Sequence, residues 1–249
     1  IQLRLHDLHL NLSWRASARC CFTRWDEPGQ GDEPGRGMAV MNRGADIAGV
    51  ILAGGLARRM GGGDKATGQI AGQSMFDRVK SRLASQVGAM ALNANGDPAR
   101  FAHLGLPVIS DSISDYPGPL AGVLAGMDWA AGEGATHILT VAADTPFFPK
   151  NLCACLYAGI RGETPIALAA TPDPKRGMSR HPTFGLWPVA LADDLRAALK
   201  NGVRKVVLWT DRHGAATVPF PNEPFDPFFN VNTPDDMAVA EALAGEHGL

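Results

Sequence analysis

Cysteine is scarce, with four in 249 residues set as two close pairs, Cys20–Cys21 and Cys153–Cys155. Neighbouring cysteines do not readily close a disulfide. A Cys-x-Cys pair on a helical segment directs its side chains to different faces, and neither pair has a partner pair at zinc-ligand spacing. The expectation is four unpaired thiols in a reducing compartment, the alternative being an unseen metal or redox role. Net charge is also missing: 23 Lys+Arg stand against 25 Asp+Glu, a formal charge of −2. That balance gives no electrostatic footprint for nucleic acid or an anionic membrane. No uninterrupted apolar run approaches the roughly 18 residues of a membrane span. What is plentiful is apolar residues, at 45%, together with 29 glycines and 18 prolines. The first supply a core and exclude wholesale disorder; the others predict many turns and glycine loops. The length suits one domain, or at most two.

Residues 1–45 differ from the rest. Leu3, Leu5, Leu8, Leu10 and Leu12 mix strand and helix periods, the chain opens with Ile, and EPGQGDEPGRG reads as a Pro/Gly/charge linker. His, Asp and Arg interrupt any secretory apolar stretch. This part is expected to be an N-terminal extension outside the fold, disordered or non-native, with a small accessory segment as the alternative; residues 46–249 form the domain.

From Ile47 strands and helices alternate. Strands are predicted at Ile47–Ala53, Ala89–Asn93, Leu106–Ile109, His137–Ala142, Pro165–Ala170, Thr183–Trp187, Ala216–Pro219 and Phe228–Val231. Helices are predicted at Ser74–Ala84 with Ser74 as N-cap, Gly118–Ala131 opening on Pro119, Pro149–Tyr157, Val189–Lys200, Arg204–Trp209 and Thr233–Ala244. Such alternation implies an α/β domain of three layers, a mostly parallel Rossmann-like sheet with helices on both faces.

In sheets of this kind ligands bind beyond the carboxyl ends of the strands. The first strand ends in Leu52-Ala53-Gly54-Gly55, followed by LARRMGGGDK. Its glycines let backbone N–H groups approach phosphate oxygens, and Arg58, Arg59 and Lys65 balance a polyphosphate's charge. A Walker A loop would need Gly-Lys-Ser/Thr, whereas Lys65 follows Asp64 and precedes Ala66; a flexible glycine turn with solvated charges is the competing interpretation. Asp144 sits just past HILTVA, on the same rim, where one carboxylate plus substrate phosphates suits magnesium and a turn before Thr-Pro is the plainer role. Asn93-Ala94-Asn95 and Asp111 close the next strands; Gly122 and Gly126 share a helix face, as tight helix–sheet packing requires. Asn230 and Asn232 alternate onto one side before Thr233-Pro234, as substrate ligands or as capping residues. His181 and His137 read as scaffold histidines.

Taken in order, LAGGLARRMGGGDK, NANG, DSISDYPGPLAG, ADTPF, RHPTFG and NVNTP closely resemble the molybdenum cofactor guanylyltransferases, from about Ile47 to the C-terminus. The glycine loop recurs across nucleotidyltransferases, and the specificity lies in the ordered set, above all YPGPLAG with NVNTP. Ala142-Ala143 replaces the Pro-Cys or Cys-Pro that relatives often carry. The resemblance implies a nucleotidyltransferase domain that moves GMP from Mg-GTP to the phosphate of molybdenum-molybdopterin, releasing pyrophosphate. By position it implies GTP binding by Leu52, Ala53, Gly54, Gly55, Lys65, Asn93, Asp111 and Asp144. Asp144 would hold Mg²⁺, Arg59 would act on the transferring α-phosphate, and Asn230 and Asn232 would lie near the pterin substrate. Molybdoenzyme apoproteins or delivery chaperones are implied as partners, with no nucleic acid or membrane, for a monomer in the cytoplasm. The runners-up are a molybdenum cofactor cytidylyltransferase or a sugar-phosphate nucleotidyltransferase; cytidylyl relatives tend to read Leu-Ala-Ala-Gly where this chain has Leu-Ala-Gly-Gly. A non-catalytic nucleotide-binding delivery protein is the reading from another class.

Overall fold

The computed structural model describes residues 46–54, 69–113, 118–162 and 164–249. The predicted extension 1–45, together with Gly55, Arg58, Arg59 and Lys65, lies outside them. Nine strands are present among the described residues. They are β1 (Ile47–Leu52), β2 (Gln69–Ile70), β3 (Gln73–Ser74), β4 (Ala89–Asn93), β5 (Val108–Ile109), β6 (His137–Ala142), β7 (Ala167–Asp173), β8 (Gly177–Pro188) and β9 (Ala216–Pro219). The helices are α1 (Met75–Ala84), α2 (Pro119–Gly132), α3 (Leu152–Gly159), α4 (Ala192–Lys200), α5 (Val206–Thr210) and α6 (Pro234–His247).

Seven strands form one sheet in the order β5-β4-β1-β6-β8-β7-β9, and β2 and β3 form a separate hairpin. β1 pairs in parallel with both β4 and β6, β5 with β4 and β9 with β7. β8 alone runs antiparallel, against β6 and β7. The strand-to-strand crossovers therefore carry helices, and the sheet is covered on both faces.

Alternation along β1 shows why these residues choose this place. Ile47 and Ile51 enter one core with Leu92, Leu139 and Val141, closed by Phe76, Val79 and Leu83 of α1 and by Leu152 and Leu156 of α3. Ala48 and Val50 enter the other, beneath Leu120, Val123, Leu124 and Met127 of α2, with Leu195 and Trp209. A strand buried on both faces has to be apolar throughout, as IAGVIL is. The one buried hydroxyl of β6, Thr140, accepts the Trp187 indole N–H at 2.9 Å, so neither polar group is left unpaired.

A third, smaller core joins α6 to the β2–β3 hairpin through Ile70, Phe147, Phe225, Val231, Ala240 and Ala244. The predicted Ser74 cap is present, and α6 is capped as well. Ser74 Oγ accepts the Asp77 N–H, and Thr233 forms a capping box with Asp236. The segment Phe228–Val231 is not a strand. Asp226 accepts the amides of Phe228 and Phe229 and turns the chain there, so strand alternation does not govern Asn230 and Asn232. Cys153 and Cys155 of α3 are both buried in the first of these cores. None of the helices described is long and apolar enough to cross a membrane.

Candidate functional site

The carboxyl ends of β5, β4, β1 and β6 lie side by side and carry Asp111, Asn93, Ala53-Gly54 and Asp144 in that order across the sheet. With strands about 4.8 Å apart, Asn93 and Asp144 stand roughly 10 Å apart on either side of the first glycine turn. Backbone bonds fix the turn's entry: Ala53 N–H donates to Asn93 O at 2.9 Å, and Ala143 N–H donates to Leu52 O at 3.1 Å. Ala53 is buried, whereas Gly54 is exposed. A Cβ built on Gly54 would meet no described atom within 4 Å. Among the described residues nothing crowds its backbone, and a glycine lets a ligand approach the peptide group closely.

On the β4 side the polar groups form one network. Asn93 is buried, and its Nδ2 donates to Ile109 O at 3.2 Å and to Asp111 Oδ1 at 3.0 Å. Asn95 Nδ2 donates to Asp111 Oδ2 at 2.7 Å, while Asn95 Oδ1 accepts the Asp111 N–H at 2.9 Å. Asn93 is also pressed from above by α2. A Cβ on Gly122 would lie 2.3 Å from Asn93 Oδ1 and 2.9 Å from Leu52 Cδ2, and one on Gly126 would lie 2.8 Å from Val50. The glycine pair thus performs the tight packing expected of it, and at Gly122 that packing holds a site residue.

On the β6 side Asp144 follows the strand, half-buried. Thr145, wholly buried, donates its hydroxyl to Asn230 Oδ1 at 2.6 Å and lies 3.3 Å from Asp144 Oδ1. Val231 N–H donates to Asp144 O at 2.8 Å. The Asn-Val-Asn segment, 85 residues downstream, is therefore seated on the Asp144 turn. Asn232 N–H donates to Asp236 Oδ2 at 2.9 Å, which joins it to the capping of α6. The sequence signal for Thr145 is Asp-Thr-Pro, but its partner, Asn230, is far away in the chain.

The two histidines behave as scaffold. His181 lies within β8, bonded through Nε2 to Thr171 Oγ1 at 2.9 Å and stacked on Phe228 at 4.3 Å. Burial holds its imidazole below the ordinary histidine range, with Asp226 opposing the shift. His137 opens β6 at the opposite end of the strand, where burial lowers it too.

Among the described residues no three His, Cys, Asp or Glu side chains converge as a metal cage. One half-buried carboxylate beside a glycine turn is of the donor type that suits a hard divalent ion taking its remaining ligands from phosphates and water. The residues present fit such an ion.

The fold and this rim define an α/β nucleotidyltransferase, and the family model of the MobA-like NTP transferase domain matches residues 49–215. The chain is 52% identical over 202 residues to a molybdenum cofactor guanylyltransferase of Bradyrhizobium sp. (strain ORS 278), covering 80% of this chain and 93% of that one. It is 53% identical over 199 residues to the enzyme of the same name from Rhodopseudomonas palustris (strain BisB5), covering 78% and 92%. The chain belongs to the molybdenum cofactor guanylyltransferases. Among solved structures, the molybdopterin-guanine dinucleotide biosynthesis protein A of Archaeoglobus fulgidus matches with a TM-score of 0.59 at 21% identity, over 80% of this chain and 99% of that one. The 4-diphosphocytidyl-2C-methyl-D-erythritol synthase of Anaerococcus prevotii matches with a TM-score of 0.62 at 13% identity, over 80% and 96%. At those identities the likeness is one of fold.

Proposed function

We propose that the chain transfers GMP from Mg-GTP to the terminal phosphate of molybdenum-molybdopterin, with pyrophosphate as the other product. The observation that carries this reading is the placement of Asn93 and Asp111 on one side of the Ala53-Gly54 turn and Asp144 on the other. Guanosine is held by Asn93 and Asp111, the phosphates cross the glycine turn past Leu52, Ala53, Gly54 and Gly55, and the α-phosphate reaches Asp144. The pterin substrate enters beside Asn230 and Asn232, whose segment is bonded to the Asp144 turn.

The attacking phosphate and the GTP α-phosphate are both anions, so the site must first offset their repulsion. Lys65 and Arg59 bring positive charge to the phosphates, and the loop's N–H groups donate to their oxygens. Asp144 would hold Mg²⁺, which when bound would neutralise further charge on the phosphates. The nucleophile is already ionised, so no strong general base is needed. His181 is taken up by its bond to Thr171 and its stacking on Phe228. The donor-rich edge of guanine, N1–H with N2–H₂, suits a carboxylate at Asp111. Purified protein with Mg-GTP should release pyrophosphate only when molybdopterin is added. Release that is absent under both conditions, with GTP still bound, would favour the delivery-protein reading.

A further inference from the structure

The geometry points to Asn95 as the positioning residue that sets Asp111 for the two-donor edge of guanine, and so as a determinant of discrimination against purines that lack the 2-amino group. This inference rests on the guanosine placement proposed above. A carboxylate has about four acceptor positions on its two oxygens. In Asp111 one position on each oxygen is already taken: Asn93 Nδ2 donates to Oδ1 at 3.0 Å and Asn95 Nδ2 to Oδ2 at 2.7 Å. Each oxygen keeps acceptor capacity, in the paired arrangement that matches two parallel N–H donors. Guanine presents such a pair, N1–H and one N2–H; hypoxanthine presents N1–H alone.

The two asparagines do different things. Asn93 is buried, wedged under Gly122 and tied to Ile109 O, so it belongs to the packing of the sheet. Asn95 is exposed, and both of its amide atoms are spent on one residue: its Oδ1 accepts the Asp111 N–H while its Nδ2 holds Oδ2. That double bond to main chain and side chain fixes the carboxylate's rotation relative to the backbone. A merely structural link would need only the first. Without the second, the carboxylate rotates, and the loss falls on the ligand that needs both oxygens.

The test compares GTP with ITP, which lacks only the 2-amino group, as substrates of the parent, Asn95→Ala and Asn95→Asp. The Asp variant keeps an acceptor for the Asp111 N–H but replaces the donor to Oδ2 with a like charge. The parent should favour GTP over ITP by about tenfold or more, the worth of one hydrogen bond of about 1.4 kcal/mol. Asn95→Ala should raise the KM for GTP about tenfold and change that for ITP little, so the preference collapses with kcat nearly retained. Asn95→Asp should lose the preference as well. Equal losses with GTP and ITP, restoration of the preference by Asn95→Asp, or no GTP preference in the parent would overturn the role. A parent that uses CTP better than GTP would instead overturn the guanosine placement on which it rests.

Discussion

At Asp144 the main chain and the side chain have separate tasks. The carbonyl oxygen seats the Asn230–Asn232 segment through Val231 N–H, at 2.8 Å. We propose that the carboxylate, with Thr145 Oγ1 at 3.3 Å from its Oδ1, faces metal and nucleotide. Asp144→Asn is nearly isosteric and leaves the carbonyl bond intact, so the thermal midpoint should hold while most guanylyl transfer is lost. Residual turnover should require more magnesium; turnover equal to the parent at ordinary magnesium would remove Asp144 from the metal site. Cys153 offers a contrasting residue. Burial pushes its thiol up to about 11, so it carries almost no thiolate at neutral pH. Alkylation by iodoacetamide at pH 7.5 should spare Cys153 in the folded protein and reach it after unfolding in urea; rapid labelling of the native chain there would show the core to be open.

The element pressed against Asn93 is α2. Replacing a helical glycine with alanine ordinarily gains up to about 1 kcal/mol. At Gly132, where a new Cβ would meet nothing within 4 Å, that gain should be seen as a small rise in urea midpoint. At Gly122 the Cβ would fall 2.3 Å from Asn93 Oδ1. Asn93 cannot retreat without giving up its bonds to Ile109 and Asp111, so overpacking of about 1–3 kcal/mol wins. Gly122→Ala should therefore lower both the urea midpoint and the affinity for GTP. A midpoint raised as at Gly132 would show that α2 does not bear on Asn93.

Strong local signals made most elements legible in the sequence. HILTVA is β6 to the residue, and Ser74 and Thr233 cap their helices as their side chains dictate. Elements set by distant partners were not. β8 runs from Gly177, well before the apolar Thr183–Trp187 stretch, because the Asp173 carboxylate accepts the Lys175 and Arg176 amides and closes a hairpin with β7. β2 and β3 are two residues each, too short for any period to register. In the site, Asn93, Asp111 and Asp144 could be placed on one rim from strand ends alone. The Asn95–Asp111 and Thr145–Asn230 bonds, across 16 and 85 residues, depend on sheet order and could not.

Over the whole molecule, α6 ties the two ends of the site together. Its capping segment rests on Asp144 and Thr145, while Glu241 accepts the Ala71 N–H at 2.8 Å in the turn of the β2–β3 hairpin. Arg78, almost fully buried, donates to Ile70 O at 2.7 Å in that hairpin and lies over the ring of Phe147. Gly54 thus follows one anchored strand, and Gln69 opens another. We propose that residues 1–45 stand outside this arrangement, since their mixed periods and Pro/Gly linker give no face to bury. A chain beginning at Met41 should keep its melting temperature and turnover; loss of either would make the segment part of the fold.

We propose that this rim reads guanine and passes GMP to molybdopterin. Cytosine in a pocket built for guanine would leave buried groups unpaired, at roughly 1–3 kcal/mol for each. Two such mismatches are worth about a hundredfold, since each 1.4 kcal/mol is tenfold. The direct measurement is nucleotide transfer to molybdopterin with GTP, CTP and ATP in competition at matched magnesium. GTP should be used at least a hundredfold better than CTP and should also outcompete ATP. Equal or better transfer with CTP would contradict the guanylyl assignment and favour a cytidylyltransferase.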